Sequence, residues 1–190
     1  MKKRLVIFAS GSGTNAQNII EHFQQTAIAE VVLVLSNRRE AKVLERAEAL
    51  GVTAQSFTKE QLTAEDGVLK TLKSIQPDLI ILAGFLLKFP DSILNEFPDK
   101  VVNIHPALLP KYGGKGMYGR YVHEAVVKSK EAETGITIHY VNENYDEGAV
   151  IFQEKVTLTG ADTPETVAEK IHFLEQECFP KVIERLLKEG

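Results

Sequence analysis

Asn103-Ile104-His105-Pro106 combines residue types and spacing that suit group-transfer chemistry. The segment closes the apolar run Val101-Val102-Asn103-Ile104-His105, whose composition predicts a strand. Strand side chains alternate faces, so Asn103 and His105 project together. Pro106 ends the strand because it has no N–H to give to a sheet ladder. An amide and an imidazole therefore stand side by side at a strand end. The amide donates to a developing oxyanion, and the imidazole carries a proton near neutral pH. A carboxylate, Asp146, follows in the polar turn Asn144-Tyr145-Asp146-Glu147-Gly148. A turn aspartate taken alone is usually structural. Joined to the amide and the imidazole, it suits acyl or formyl transfer to a nucleophile.

A second constellation follows the apolar run Leu5–Ala9. In Ser10-Gly11-Ser12-Gly13-Thr14-Asn15-Ala16, glycines let the backbone turn tightly and come close to a ligand. The helix predicted from Thr14 to Gln25 offers unpaired N–H groups and a positive dipole end to an anion, and Thr14 and Asn15 add side-chain donors. A plain strand-to-helix turn accounts for many such loops. Gly11-x-Gly13-x-x-Ala16 also fits a relaxed dinucleotide fingerprint. That fingerprint wants an acid at the tip of the second strand, where this chain has Ser36-Asn37-Arg38-Arg39, whose arginines would instead suit the 2′-phosphate of a nicotinamide cofactor. A phosphomonoester suits the polar Thr14 and Asn15 better.

The other histidines carry weaker signals. His22 and His172 fall on predicted helices and read as structural. His123-Glu124 opens like a zinc-protease helix, but the position four residues after His123 is Val127, so that motif fails. No Cys/His spacing suggests a metal. His139 lies on the predicted strand Thr134–Val141 and faces as Thr137 does. It reads equally as a site residue or as a satisfied core histidine.

The positioning elements follow from periodicity. Apolar strands are expected at Leu5–Ala9, Val31–Leu35 and Leu79–Ala83, with a weaker one at Val52–Phe57. Helices are expected at Thr14–Gln25, Ala41–Leu50, Gln61–Ile75, after Pro90, and near Val122–Lys128. A last helix, about Pro164–Lys188, should bend or break at Pro180. Thr134–Val141 and Ala149–Leu158 read as an antiparallel hairpin. The expected fold class is α/β: one domain over 1–190, with a mostly parallel Rossmann-like sheet, helices on both faces and an antiparallel C-terminal hairpin. The four glycines of Gly113–Gly119 predict a loop that orders over the site when substrates bind.

Composition narrows the classes. With 190 residues, 44% hydrophobic and 25% charged, the chain matches an ordinary globular domain. A net charge of −4 with scattered basic residues argues against a nucleic-acid or membrane surface. Cys178 is the single cysteine, so no intrachain disulfide forms, as suits a reducing compartment. The basic start and short apolar run lack a signal-peptide pattern, and the cytoplasm is the expected location.

The chain resembles the phosphoribosylglycinamide formyltransferase family, folate-dependent enzymes of purine synthesis. The resemblance runs through essentially the whole length. It rests on Gly11-Ser12-Gly13-Thr14-Asn15, Ala83-Gly84-Phe85, Asn103-Ile104-His105-Pro106-Ala107-Leu108-Leu109-Pro110-Lys111-Tyr112 and Asp146-x-Gly148. It implies transfer of the formyl group of 10-formyltetrahydrofolate to the amine of 5'-phosphoribosylglycinamide, with no metal. Asn103, His105 and Asp146 are then catalytic, and a carboxylate near His105 would raise the histidine pKa. Gly13, Thr14, Asn15 and Glu175 bind the ribonucleotide. Leu86, Leu87, Lys88, Phe89, Val141 and Tyr145, with Asn103, bind the folate. About 1–100 forms the nucleotide-phosphate half and about 84–190 the catalytic and folate half. Many relatives carry an arginine where Leu87 stands, and a second folate-site arginine, mapping near Gln61, has no clear counterpart. A methionyl-tRNA formyltransferase would bring an RNA-binding domain, and a formyltetrahydrofolate hydrolase a regulatory one. A nicotinamide enzyme or nucleotide sensor would leave Asn103, His105 and Asp146 unexplained.

Overall fold

The computed structural model describes residues 1–189. Its frame is one seven-stranded sheet in the order β3-β2-β1-β4-β5-β6-β7. The strands are β1 (Lys3–Phe8), β2 (Ala29–Ser36), β3 (Ala54–Ser56), β4 (Leu79–Leu82), β5 (Val101–His105), β6 (Glu133–Tyr140) and β7 (Val150–Thr157). Pairings from β3 to β5 are parallel, and β5·β6 and β6·β7 are antiparallel.

Helices α1 (Thr14–Thr26), α2 (Lys42–Ala49), α6 (Arg120–Lys128) and α7 (Pro164–Glu189) contribute to one core. Helices α3 (Lys59–Thr63), α4 (Val68–Ile75) and α5 (Asp91–Glu96) contribute to the other. The unbroken apolar run of β1 explains why both cores exist. Leu5 and Ile7 enter the first core, while Val6 and Phe8 enter the second, and all four are fully buried. A parallel strand covered on both faces needs this composition.

The chain turns back at β1, whose neighbours β2 and β4 lead in opposite directions across the sheet. The loops after β1 and β4 therefore part and leave a crevice at the strands' carboxyl ends, the usual ligand position in such sheets.

Two helix expectations are corrected. Gln61–Ile75 is two helices, not one. A capping box between Thr58 and Gln61 starts α3 one turn early, and Ala64–Gly67 interrupts the run before α4. Gly67 packs its α-carbon on the Gln61 carbonyl, where a Cβ would not fit. Pro180 does not break the last helix, which runs continuously through it with Pro180 buried. Tertiary packing on α1 and β6 offsets the missing backbone donor. No described helix is long and apolar enough to cross a membrane.

Candidate active site

Backbone groups shape the loop after β1. Gly13 adopts φ 77°, and a Cβ there would run into Val43 of α2. Glycine alone meets both conditions. The Val43 N–H donates to the Gly11 carbonyl at 3.2 Å, and Arg46 Nε donates to the Ser12 carbonyl at 2.8 Å. The first turn of α1 has no acidic residue, and its first intrahelical bond is Gln17 N–H to the Gly13 carbonyl. The N–H groups of Thr14, Asn15 and Ala16 thus remain free of helical partners, as a helix start dictates.

Ser10 couples this loop to the next. Its buried hydroxyl donates to Asn37 Oδ1 at 2.6 Å and accepts from the Leu86 N–H at 3.0 Å. Phe85 and Phe89 hold the following segment by packing edge-on against Phe8, with ring centroids 5.5 and 5.1 Å away. Phe89 is thereby a core residue at one wall of the site. Lys88 is exposed and reaches Asp91 at 3.5 Å.

On β5, Asn103 and His105 face the same way, as their spacing requires. Across the antiparallel pairing, Asn103 stands opposite His139 and His105 opposite Thr137. Asn103 Nδ2 lies 3.1 Å from His139 Nε2. His105 donates its Nε2–H to the Tyr112 carbonyl at 2.7 Å and presents Nδ1 to Asp146 Oδ2 at 3.6 Å. Asp146 sits between two imidazoles, since its Oδ1 is also 3.6 Å from His139 Nε2. Its Oδ2 accepts the Gly114 N–H at 2.9 Å, so the glycine loop docks on the carboxylate. Thr137 pins the exit of β5, donating to the Ala107 carbonyl at 2.7 Å and accepting from the Leu109 N–H at 3.0 Å.

Electrostatics correct one expectation. The carboxylate was expected to raise the His105 pKa. Burial instead pushes it below its ordinary value, against the raising effects of Asp146 and the Tyr112 carbonyl. The ring is only 3% exposed, and a carboxylate 3.6 Å away does not restore what the cation loses in hydration. For Asp146, burial raises the carboxyl. The neighbouring His139 and His105 imidazoles and the donating Gly114 N–H outweigh it and hold the group below its ordinary value. Near neutral pH the site therefore pairs a neutral His105 imidazole with an ionised carboxylate.

All of these parts line one cavity of 590 Å³. It brings together Gly11–Asn15, the Leu82–Phe89 segment, Asn103, His105, His139, Val141, Tyr145, Asp146 and Glu175. Every sequence-derived site residue is thus on the same cavity. Asn15 also joins two helices. Its amide donates to Glu175 Oε2 at 2.9 Å and accepts from Gln176 Nε2 at 2.7 Å, which ties α1 to α7. Its backbone N–H and its second Nδ2 hydrogen have no protein partner among the described residues.

The cavity also holds two histidines with weak sequence signals, His172 and His123. His172 lies 3.9 Å from Glu175, whose carboxylate raises the imidazole pKa. The i,i+3 spacing on one helix face was the available signal. His123 is buried on α6, and its Nδ1 has no protein partner. Burial lowers its pKa, against the raising effect of Glu175. Its signal, a histidine on the helix after a glycine loop, is weak. Among the described residues, no group of three His, Cys, Asp or Glu side chains is arranged to hold a metal ion.

Known proteins are similar to this chain in sequence and fold. The formyl transferase family model matches residues 3–183. The chain belongs to the formyl transferase family. A phosphoribosylglycinamide formyltransferase of Bacillus subtilis is 33% identical over 190 residues, covering 97% of this chain and 95% of its own. A chloroplastic phosphoribosylglycinamide formyltransferase of Arabidopsis thaliana is 35% identical, covering 99% of this chain. The chain spans 66% of that plant protein's length and 62% of that of its Vigna unguiculata counterpart. Among solved structures, glycinamide ribonucleotide transformylase 1 of Geobacillus kaustophilus superposes with a TM-score of 0.87 at 37% identity. The match covers 98% of this chain and all of that one. In this formyl transferase, the carboxyl ends of β1, β4 and β5 carry the candidate site.

Proposed function

We propose that the chain transfers the formyl group of 10-formyltetrahydrofolate to the amine of 5'-phosphoribosylglycinamide, a step of purine biosynthesis. The supporting observation is that Asn103, His105 and Asp146 share one cavity with the anion-ready start of α1. The ribonucleotide phosphate lies against the free N–H groups of Thr14, Asn15 and Ala16 and the Thr14 hydroxyl. Glu175 lies toward the glycinamide end. The folate lies along Leu86–Phe89, Val141 and Tyr145. Residues of about 1–100 thus serve the phosphate, and those of about 84–190 serve folate and chemistry.

The neutral glycinamide amine attacks the formyl carbon, and charge develops on the formyl oxygen. An Asn103 N–H donates to that oxyanion. His105 begins neutral because it is buried, so its Nδ1 is free to take a proton as the amine is acylated. Asp146 stabilises the resulting imidazolium, and the proton passes on to the departing folate nitrogen. Both substrates are small molecules, no nucleic acid takes part, and the setting is cytoplasmic.

The test is an assay with both substrates. One equivalent each of formylated ribonucleotide and tetrahydrofolate is expected. Formate release independent of the ribonucleotide, or no turnover, would overturn the reading.

A further inference from the structure

His139 faces Asn103 directly across the β5·β6 pairing, is 2% exposed, and has no role in the mechanism above. Its hydrogen bonds fix its chemistry. Nδ1 lies 2.8 Å from the Tyr140 carbonyl, which only accepts, so Nδ1 carries the proton. In the neutral ring Nε2 is then a bare acceptor. The donor that meets it is Asn103 Nδ2 at 3.1 Å, while Asp146 Oδ1 at 3.6 Å is beyond hydrogen-bond range.

We propose that His139 is a positioning residue: it holds the Asn103 amide in the one flip that presents N–H, rather than oxygen, to the reacting formyl group. An unheld amide has two flips of similar shape, and the wrong one sets an acceptor against the developing negative charge. One Asn103 hydrogen binds His139, and the other remains for the oxyanion.

Gly148 extends the device by one step. A Cβ there would overlap the Tyr140 carbonyl, the group that fixes the His139 tautomer. The spacing Asp146-x-Gly148 thus joins a carboxylate to a residue that keeps this carbonyl clear. The inference rests on the proposed oxyanion role of Asn103.

Two measurements test it. Long-range 1H–15N correlation on the wild-type protein should place the His139 proton on Nδ1 and leave Nε2 bare. A proton on Nε2 would overturn the proposal, whether or not the protein transfers formyl groups. In the formyl-transfer assay, His139→Phe should lower kcat about 10²-fold, comparable to losing one oxyanion donor, with both KM values within about twofold. His139→Gln, whose amide oxygen can accept from Asn103, should recover at least about tenfold of that loss. On an Asn103→Ala background, His139→Phe should cost little more. An undiminished loss on that background, or a Gln variant no better than Phe, would contradict the proposal. Absence of wild-type turnover would count against the formyl-transfer reading alone, and the tautomer would still decide the inference.

Discussion

Around β1 and β4 the sheet is parallel, apolar on both faces, and its loop offers backbone N–H groups to a ligand. Around β5 and β6 it is antiparallel and buries His105, Thr137 and His139, while the parallel region buries only Ser10 and Ser36 among its described polar side chains. A phosphate keeps its charge throughout a reaction, so fixed backbone dipoles suffice to hold it. A migrating proton needs groups that change charge, and these must be side chains. Under the proposed function, the first region binds through main chain and the second reacts through side chains.

The largest effect is therefore expected at β5. His105→Asn should lower kcat by about 10²–10⁴-fold with little change in either KM, because its role arises in the transition state. A KM effect without a kcat effect, read from steady-state kinetics, would move His105 to the binding region. Asp146→Asn should come next, losing about 10²-fold in kcat while folding normally, since the residue lies in a partly exposed turn. Full activity would return Asp146 to a structural turn aspartate.

Asn15→Leu should act on the other region, raising the ribonucleotide KM about tenfold and leaving the folate KM alone. It also removes the bonds to Glu175 and Gln176, at about 1–2 kcal/mol of stability by urea titration. Equal loss of both substrates in the folded variant would mean that the regions do not bind separately.

The smallest effect is on stability against pH. His105 and His123 are held below the ordinary 6.5 mainly by burial. The unfolded chain then takes up their protons first, so stability is full above about pH 6.5 and falls as pH drops toward the folded values. Asp146, held below 3.8, adds stability that persists down to that region and is lost only below it. Urea midpoints between pH 8 and 4 should show the upper window, and His123→Phe should shrink it. A flat profile would show that these imidazoles are not desolvated.

Much of this was legible from local rules. Alternation put Asn103 and His105 on one face, and Gly13 before Thr14 marked the open start of α1. What escaped depends on distant partners. The interruption at Ala64–Gly67 follows from the fit of Gly67 on Gln61, and Asn15 finds its partners on α7, 160 residues away. The direction of the His105 shift was misjudged because burial depends on the whole fold, whereas a carboxylate neighbour is visible in a motif. His139 stayed undecided because strand register cannot be read from its own strand.

The proton-carrying set is the central claim, and the NMR titration of His105 in wild type and in Asp146→Asn tests it most directly. Wild type should titrate below the ordinary histidine value. The variant should titrate lower still, because burial remains while the carboxylate that favours imidazolium is gone. An unchanged titration would show that His105 and Asp146 are uncoupled and would contradict the shared proton path, even if formyl transfer itself were observed.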